Sequence, residues 1–190
     1  EPGILPEEKE VGVEQVLNGL PKLRSGLSKI KDTKTNWTST LKTICKNGAL
    51  NKVDNDIRDE IRSHLQALNY APESIGAEFV PFPVNTNYEP LWFLNEKLQG
   101  ACNHQSRGHM ESDLLRYLFV SCFGKVLGRS PKLEDFPEEL LPEHKNAKEN
   151  KFADRFRVQL SNAPSKTITS HISKDGHYYI HPHPAQCRSL

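Results

Sequence analysis

The clearest periodic pattern of apolar residues lies in the first third of the chain, between Leu50 and Leu68. Apolar residues recur there at steps of three and four, at Leu50, Val53, Ile57, Ile61, Leu65 and Leu68. Charged residues, among them Asp59 and Arg62, occupy the other side. This spacing predicts an amphipathic helix that packs by one face, and we assign it a structural role without chemistry.

A second long helix is predicted from about Ser112 to Leu127. Its apolar stripe consists of Leu115, Leu118, Phe119, Cys122 and Val126. Ser112 is a suitable N-cap residue, and Gly128 is well placed to end the helix. Shorter helical pieces are predicted at 11–20, 36–45, 92–98 and 134–141. Residues 70–90, with their prolines, and the polar segment 103–109 are expected to be irregular.

From Phe152 onward the pattern favours strands. The alternation in 154–159 places Arg155 and Arg157 on one face of a strand and Phe156 and Val158 on the other. A Thr-rich strand, a turn at 174–176 and an aromatic strand are expected to follow. Two adjacent guanidiniums suit phosphates or the edge of a guanine. A solvated edge strand, with Asp154 pairing one arginine, is the alternative.

Composition sharpens this picture because the charge is unevenly distributed. The 190 residues carry a net charge of +1 and are 36% hydrophobic, which fits one domain or one domain with an appended lobe. Residues 151–190 hold six Lys or Arg against two Asp, a net charge of +4, and residues 1–150 therefore carry −3. A polyanion-binding face requires such a concentration of positive charge.

Cysteine and histidine usage limits the other classes of function. The four cysteines form no Cys-x-x-Cys pair, and Cys122 in its apolar run is expected to be a buried free thiol. No signal peptide or membrane span is recognisable, so a cytoplasmic protein with no membrane partner is expected. His104, His109 and the histidines of the tail (171, 177, 181, 183) lack an ordinary metal-ligand spacing. Arg107, beside Gly108, is a better candidate for contacting an anion.

The tail resembles the end of the target recognition domain of bacterial DNA (cytosine-5) methyltransferases. The matching motifs are Thr167-Ile-Thr-Ser-His-Ile, Gly176-His-Tyr-Tyr-Ile-His-Pro and Arg188-Ser-Leu190. Three further segments look like one branch of that family, namely Leu20–Ser28, Asn103–Met110 with the following Asp113–Phe119, and Phe152–Arg157. The resemblance touches nearly the whole chain, and its most specific motifs lie in residues 152–190.

The family's catalytic motifs are absent from this sequence. There is no Phe-x-Gly-x-Gly loop for S-adenosylmethionine and no Pro-Cys dipeptide for the nucleophile. The resemblance therefore implies a fragment that is inactive alone, with no catalytic residue, metal or cofactor of its own. The parent enzyme would flip a cytosine out of the duplex and methylate its carbon 5 from S-adenosylmethionine. The expected partners are double-stranded DNA and the missing catalytic lobe, within a restriction-modification system.

The resemblance also implies a fold and a set of DNA-binding residues. We expect an α+β fold, with a helical insertion packed on a small twisted β-sheet formed mainly by residues 152–183. The expected division is a linker at 1–10, a mostly helical part at 11–150 and a β-rich DNA-reading segment at 151–190, which runs into the next conserved block. Thr169 falls where the family contacts phosphate, and 170–177 falls on its recognition loop. The expected DNA-binding residues are Lys151, Arg155, Arg157, Thr169, Ser170, His171, Ser173, Lys174 and His177.

Two other functions remain open from the residues themselves. One is a helical protein-interaction module scaffolded by Leu50–Leu68 and Ser112–Leu127. The other is a metal nuclease that depends on His104, His109 or the histidines of the tail.

Overall fold

The computed structural model of the chain describes residues 8–82, 86, 88–142, 155–167 and 176–190. Within these residues, α-helices and short strands are mixed. The helices are α1 (Val13–Leu17), α2 (Lys34–Lys42), α3 (Asn55–Gln66), α4 (Pro90–Phe93) and α5 (Glu111–Leu127). The strands are β1 (Gly26–Leu27), β2 (Gly76–Pro81), β3 (Gly100–Gln105) and β4 (Gly108–His109). The predicted α+β class is confirmed.

Helix α5 runs through the core and is buried on most of its circumference. The predicted stripe residues Leu118, Phe119 and Cys122 are buried, and so are Leu114, Tyr117, Val120 and Phe123. The sequence pattern underestimates this burial because α2, α3 and the tail cover the helix from several sides. Gly128 ends the helix with φ 65°, as predicted. Met110, and not Ser112, occupies the N-cap position.

Helix α3 is shorter than the stretch, Leu50 to Leu68, over which the apolar residues recur. It begins after Asp54, whose carboxylate accepts a hydrogen bond from the backbone N–H of Asp56 at 2.9 Å, and this cap sets the start of the helix. Single 3₁₀ turns at Ala49–Lys52 and Ala67–Tyr70 flank it. All six periodic apolar residues are nevertheless buried, since the two turns continue the packed face.

Two small sheets form in segments that were expected to be irregular. Strands β2 and β3 are antiparallel, with Phe79 opposite Cys102, and β1 and β4 are parallel, with Gly26 opposite Gly108. Most residues of β2 and β3 are exposed or half-buried, so neither strand shows the apolar alternation that marks a one-sided strand. The sequence therefore carried no readable strand signal for this pair.

The described part of the tail joins the core without forming a ladder of its own. Phe156, Val158, Ile180 and Cys187 pack in the same hydrophobic cluster as α2, α3 and α5. Ile180 forms isolated bridges, parallel to Val158 and antiparallel to Ser189. The expectation that residues 152–183 form most of the sheet is thus wrong for the described residues, because single hydrogen bonds fasten the tail onto α5.

The predicted aromatic strand after the turn is replaced at its start by a 3₁₀ turn, Gly176–Tyr178. The strand expected at 154–159 is reduced, in its described part, to the isolated bridge at Val158. The Thr-rich strand falls largely on residues 168–175, outside the described residues. The division at 1–10, 11–150 and 151–190 stays a prediction. No helix within the described ranges is both long and apolar enough to cross a bilayer.

Candidate nucleic-acid interface

A cleft of about 610 Å³ lies beside the C-terminal end of α5. One wall is the loop that follows Gly128, and the other is the tail at 157–160 and 163–166. Among the described residues, its lining contains four cations, Arg129, Lys132, Arg157 and Lys166, and no carboxylate. We refer to this surface as the basic cleft.

The loop cations are partly balanced by carboxylates outside the lining. The guanidinium of Arg129 donates to both carboxylate oxygens of Asp135, at 2.9 and 2.8 Å, and also lies 4.8 Å from the ring centre of Phe123. This hydrogen bonding lowers the pKa of Asp135, so the carboxylate stays charged. The ammonium of Lys132 lies 3.6 Å from Glu134. Among the described residues, these two acids neighbour the four cations of the lining.

The tail wall of the basic cleft is held by specific hydrogen bonds. The backbone N–H of Val158 donates to the Ser130 hydroxyl at 2.8 Å, which joins the two walls. The buried Gln159 side chain donates to the carbonyl of Tyr178 at 3.1 Å and accepts from the backbone N–H of Lys166 at 3.0 Å. These bonds fix the backbone from which Arg157 and Lys166 project.

The predicted alternation around the two arginines is confirmed. Phe156 and Val158 are buried in the core, whereas Arg155 and Arg157 are only partly buried. Arg157 lines the basic cleft; Arg155 is not part of its lining. The side chain of Arg157 therefore lies where an anion in the cleft could reach it.

His177 is joined to the same segment. Its carbonyl accepts a hydrogen bond from the backbone N–H of Arg157 at 2.8 Å. Its ring lies 4.8 Å from the ring of Phe156, and its Nδ1 is 2.9 Å from the hydroxyl of Tyr117. Two of the predicted DNA-binding residues, Arg157 and His177, are thus adjacent in space.

The remaining predicted DNA-binding residues lie outside the described residues. These are Lys151, Thr169, Ser170, His171, Ser173 and Lys174, and their roles stay predictions. Sequence reasoning missed Arg129 and Lys132. The available signal was their position in the first four residues after the helix-ending Gly128, where a loop presents side chains to solvent.

The histidines singled out as metal candidates are used in other ways. His104 makes a long-range hydrogen bond, from Nε2 to the carbonyl oxygen of Pro21 at 2.7 Å. Burial lowers the pKa of His109 to about 4 and that of His181 to about 2, so both are neutral at pH 7. Across the described ranges, no three His, Cys, Asp or Glu residues are arranged to hold a metal ion.

Comparison with known proteins gives one informative similarity. Over 97 residues, or 51% of this chain, the sequence is 41% identical to the Type II methyltransferase M.Bpa9945I of Bacillus paralicheniformis. The matched region is 21% of that protein, so the similarity spans about a fifth of the relative's length. No family model and no solved structure matches the sequence. The chain is therefore similar, over half its length, to part of a methyltransferase.

Proposed function

We propose that this chain recognises double-stranded DNA as the target recognition region of a DNA (cytosine-5) methyltransferase. The observation that carries the proposal is the 41% identity with part of a Type II methyltransferase. The resemblance of the tail to target recognition domains supplies the finer assignment. The parent enzyme would methylate carbon 5 of a flipped cytosine within a restriction-modification system.

The basic cleft supports the DNA-binding part of this proposal. Phosphate oxygens are bound in proteins mainly by Arg and Lys, together with hydroxyls and backbone N–H groups. The cleft offers cations and a hydroxyl, with Arg157, Lys166 and Ser165 on one wall and Arg129 on the other. In our proposal these groups hold the sugar-phosphate backbone and position the chain on the duplex.

In our proposal, residues beside the basic cleft read the base sequence of the DNA. Arg155 and His177 flank Arg157 in space, and an arginine fork matches the O6 and N7 atoms of guanine. The predicted loop at 170–177, together with Lys151, completes this proposed surface. A good bidentate contact contributes about 1–3 kcal/mol of discrimination against a wrong base.

The cysteines of the chain fit a recognition role better than a catalytic one. Burial raises the pKa of the thiols of Cys122 and Cys187, which disfavours the thiolate that a nucleophile requires. None of the four cysteines follows a proline. We therefore place the nucleophile and the S-adenosylmethionine site in another part of the parent polypeptide.

A binding experiment tests the proposal directly. Binding of the chain to a duplex pool of random sequence is measured by gel shift for the wild type and for Arg157→Ala with Lys166→Ala. Removing two cleft cations should weaken binding more than tenfold. A matched control, Lys42→Ala with Lys46→Ala, removes the same charge from exposed positions outside the cleft and should change binding little.

Equal losses in the two double variants would contradict the cleft as the DNA site. The methyltransferase assignment is tested separately by the coding sequence on either side of this segment. We expect a Pro-Cys motif upstream and Thr-x-Arg-Glu directly after Leu190. Their absence would overturn the assignment whatever the binding result.

A protein-interaction function remains the second candidate, and one observation favours it. Leu91 and Trp92 on α4 are 97% and 85% exposed, whereas the apolar faces of α3 and α5 are buried in the core. If protein contact is the main function, Leu91→Ser with Trp92→Ser should abolish complex formation and leave DNA binding unchanged. Loss of partner binding is measured by sedimentation with the separately expressed remainder of the parent polypeptide.

A further inference from the structure

A second cavity, of about 430 Å³, lies at the N-terminal end of α5. Three segments far apart in the sequence meet there, because β1 and β4 pair in parallel and bring 26–28 against 107–109. The tail closes the cavity with His177 and Arg188. We refer to it as the polar cavity.

His109 is the most informative residue of the polar cavity. Among the described residues its buried Nε2 atom has no hydrogen-bond partner, while its ring packs edge-on against Tyr117 at 4.9 Å between ring centres. Buried polar atoms in folded proteins are nearly always hydrogen-bonded, and leaving one unpaired costs about 1–3 kcal/mol. His109 also lines the polar cavity, so a small side-chain movement would let a bound group pair with this nitrogen.

The charges around the polar cavity favour an anionic group on that ligand. Arg107 is exposed, and Arg188 contributes a second guanidinium to the lining. The one side-chain carboxylate of the lining among the described residues, Asp113, is already paired with Arg116 at 2.9 Å. Helix α5 begins here without a side-chain cap, and the positive end of a helix dipole attracts anions.

The lining also suits a planar, hydrogen-bonding group. His109 and His177 contribute partly exposed aromatic rings, and Ser28 and Gln105 are exposed polar residues of the lining. Nucleobases are held in proteins by aromatic rings together with hydrogen bonds to their edges. The volume is within the range of cavities that bind small molecules.

We infer that the polar cavity binds one nucleotide of the DNA, with its base edge at His109 and its phosphate at Arg107. The inference rests on the proposed function, since the nucleotide belongs to the duplex that the basic cleft holds. The two sites are linked by the hydrogen bond between the Arg157 N–H and the His177 carbonyl, because Arg157 lines the cleft and His177 lines the cavity. In this inference the bound nucleotide is an unpaired one, because the hydrogen-bonding edge of a paired base is occupied by its partner base.

The test compares two duplexes of the same sequence, one fully paired and one carrying a single unpaired 2-aminopurine nucleotide. Binding is measured by fluorescence anisotropy of a terminal dye, and entry of the base by the emission of 2-aminopurine. The wild type should bind the duplex with the unpaired nucleotide about tenfold more tightly, with a change in emission. His109→Phe keeps an aromatic ring but removes the nitrogen, and should lose this preference.

His64→Phe is the matched control, because it makes the same substitution on α3, outside the lining of the polar cavity. It should keep the preference. Arg107→Ala, at an exposed position, should also lose the preference and gives a second test if the His109 variant does not fold. If the wild type binds the two duplexes equally and the emission does not change, the nucleotide site is overturned but the proposed function is not. Failure to bind either duplex would overturn the proposed function as well.

Discussion

The two ends of α5 present opposite kinds of surface. At the C-terminal end, the basic cleft is built from charged side chains, two of which stand in one short loop, Arg129–Lys132. At the N-terminal end, the polar cavity is built from three distant segments around a neutral buried histidine, His109. The helix between them has 17 residues, so the two ends are about 25 Å apart.

This difference follows from how each end is assembled. The cleft depends mainly on net charge, and its cations lie at the negative end of the helix dipole, where positive charge is stabilised. The cavity depends on the register between β1 and β4 and on the fit of the tail. We therefore expect the cleft to tolerate small structural changes and the cavity to be sensitive to them.

Acid should destabilise the chain, because two buried histidines are neutral in the folded state. The folded-state pKa values of His109 (about 4) and His181 (about 2) lie below the usual value of 6.5, so the unfolded state binds more protons. Their contribution to stability is complete above pH 6.5 and is lost as the pH falls toward the folded-state values. At pH 5 the loss is about 2 kcal/mol for each histidine.

Urea unfolding at pH 7.5 and pH 5 measures this loss. His109→Phe removes one of the two groups, so the decrease in unfolding free energy between these pH values should be smaller by about 2 kcal/mol in the variant. An identical decrease in variant and wild type would show that His109 is not a buried neutral group.

Gly124→Ala tests the contact between α5 and the tail wall of the basic cleft. A Cβ at this position would lie 2.5 Å from Cγ1 of Val158, a stiff branched side chain next to Arg157. Overpacking costs about 1–3 kcal/mol, against a gain in helix propensity of about 1 kcal/mol. We expect a net loss of stability and weaker DNA binding.

The rescue of that variant makes the test specific. Val158→Ala in the same chain opens the space that the new methyl needs, so part of the loss should be recovered in thermal unfolding. A Gly124→Ala variant that is more stable than the wild type would show that the tail is not packed against α5 at this point.

The loop cations should have a smaller effect than the tail cations on DNA binding. Arg129→Ala with Lys132→Ala removes two positive charges that already have acidic neighbours, Asp135 and Glu134. Because these contacts are partly screened, the loss of affinity should be about fivefold. Both double variants are measured by the same gel shift. A larger loss of affinity in the loop variant than in the Arg157 and Lys166 variant would show that the loop wall contributes more to DNA binding than the tail wall.

The parts of this molecule that could be predicted from sequence are those marked by a local pattern of apolar and polar residues. The period of three and four residues located α3, and the alternation around Phe156 placed Arg157 at the surface. The bounds of α3 depended on the Asp54 cap, and strands β2 and β3 gave no signal because both of their faces are largely exposed.

The candidate sites were predictable only in part for the same reason. Arg157 and His177 were expected in the interface, but their contact with each other depends on the fold of the tail over α5. In the sequence, Arg129 and Lys132 are ordinary loop residues. They become part of a cleft only because the hydrogen bond between Val158 and Ser130 brings the tail against their loop. The polar cavity requires segments about 80 residues apart to pair, as Leu27 and His109 do, and no local pattern encodes that pairing.

The salt dependence of duplex binding is the most direct test of the central claim, that the basic cleft holds the DNA backbone. The logarithm of the binding constant should fall linearly with the logarithm of salt concentration, with a slope of about −0.9 for each phosphate neutralised. Arg157→Ala with Lys166→Ala should make this slope shallower by about 2. A slope that is the same in the wild type and the double variant would contradict the claim.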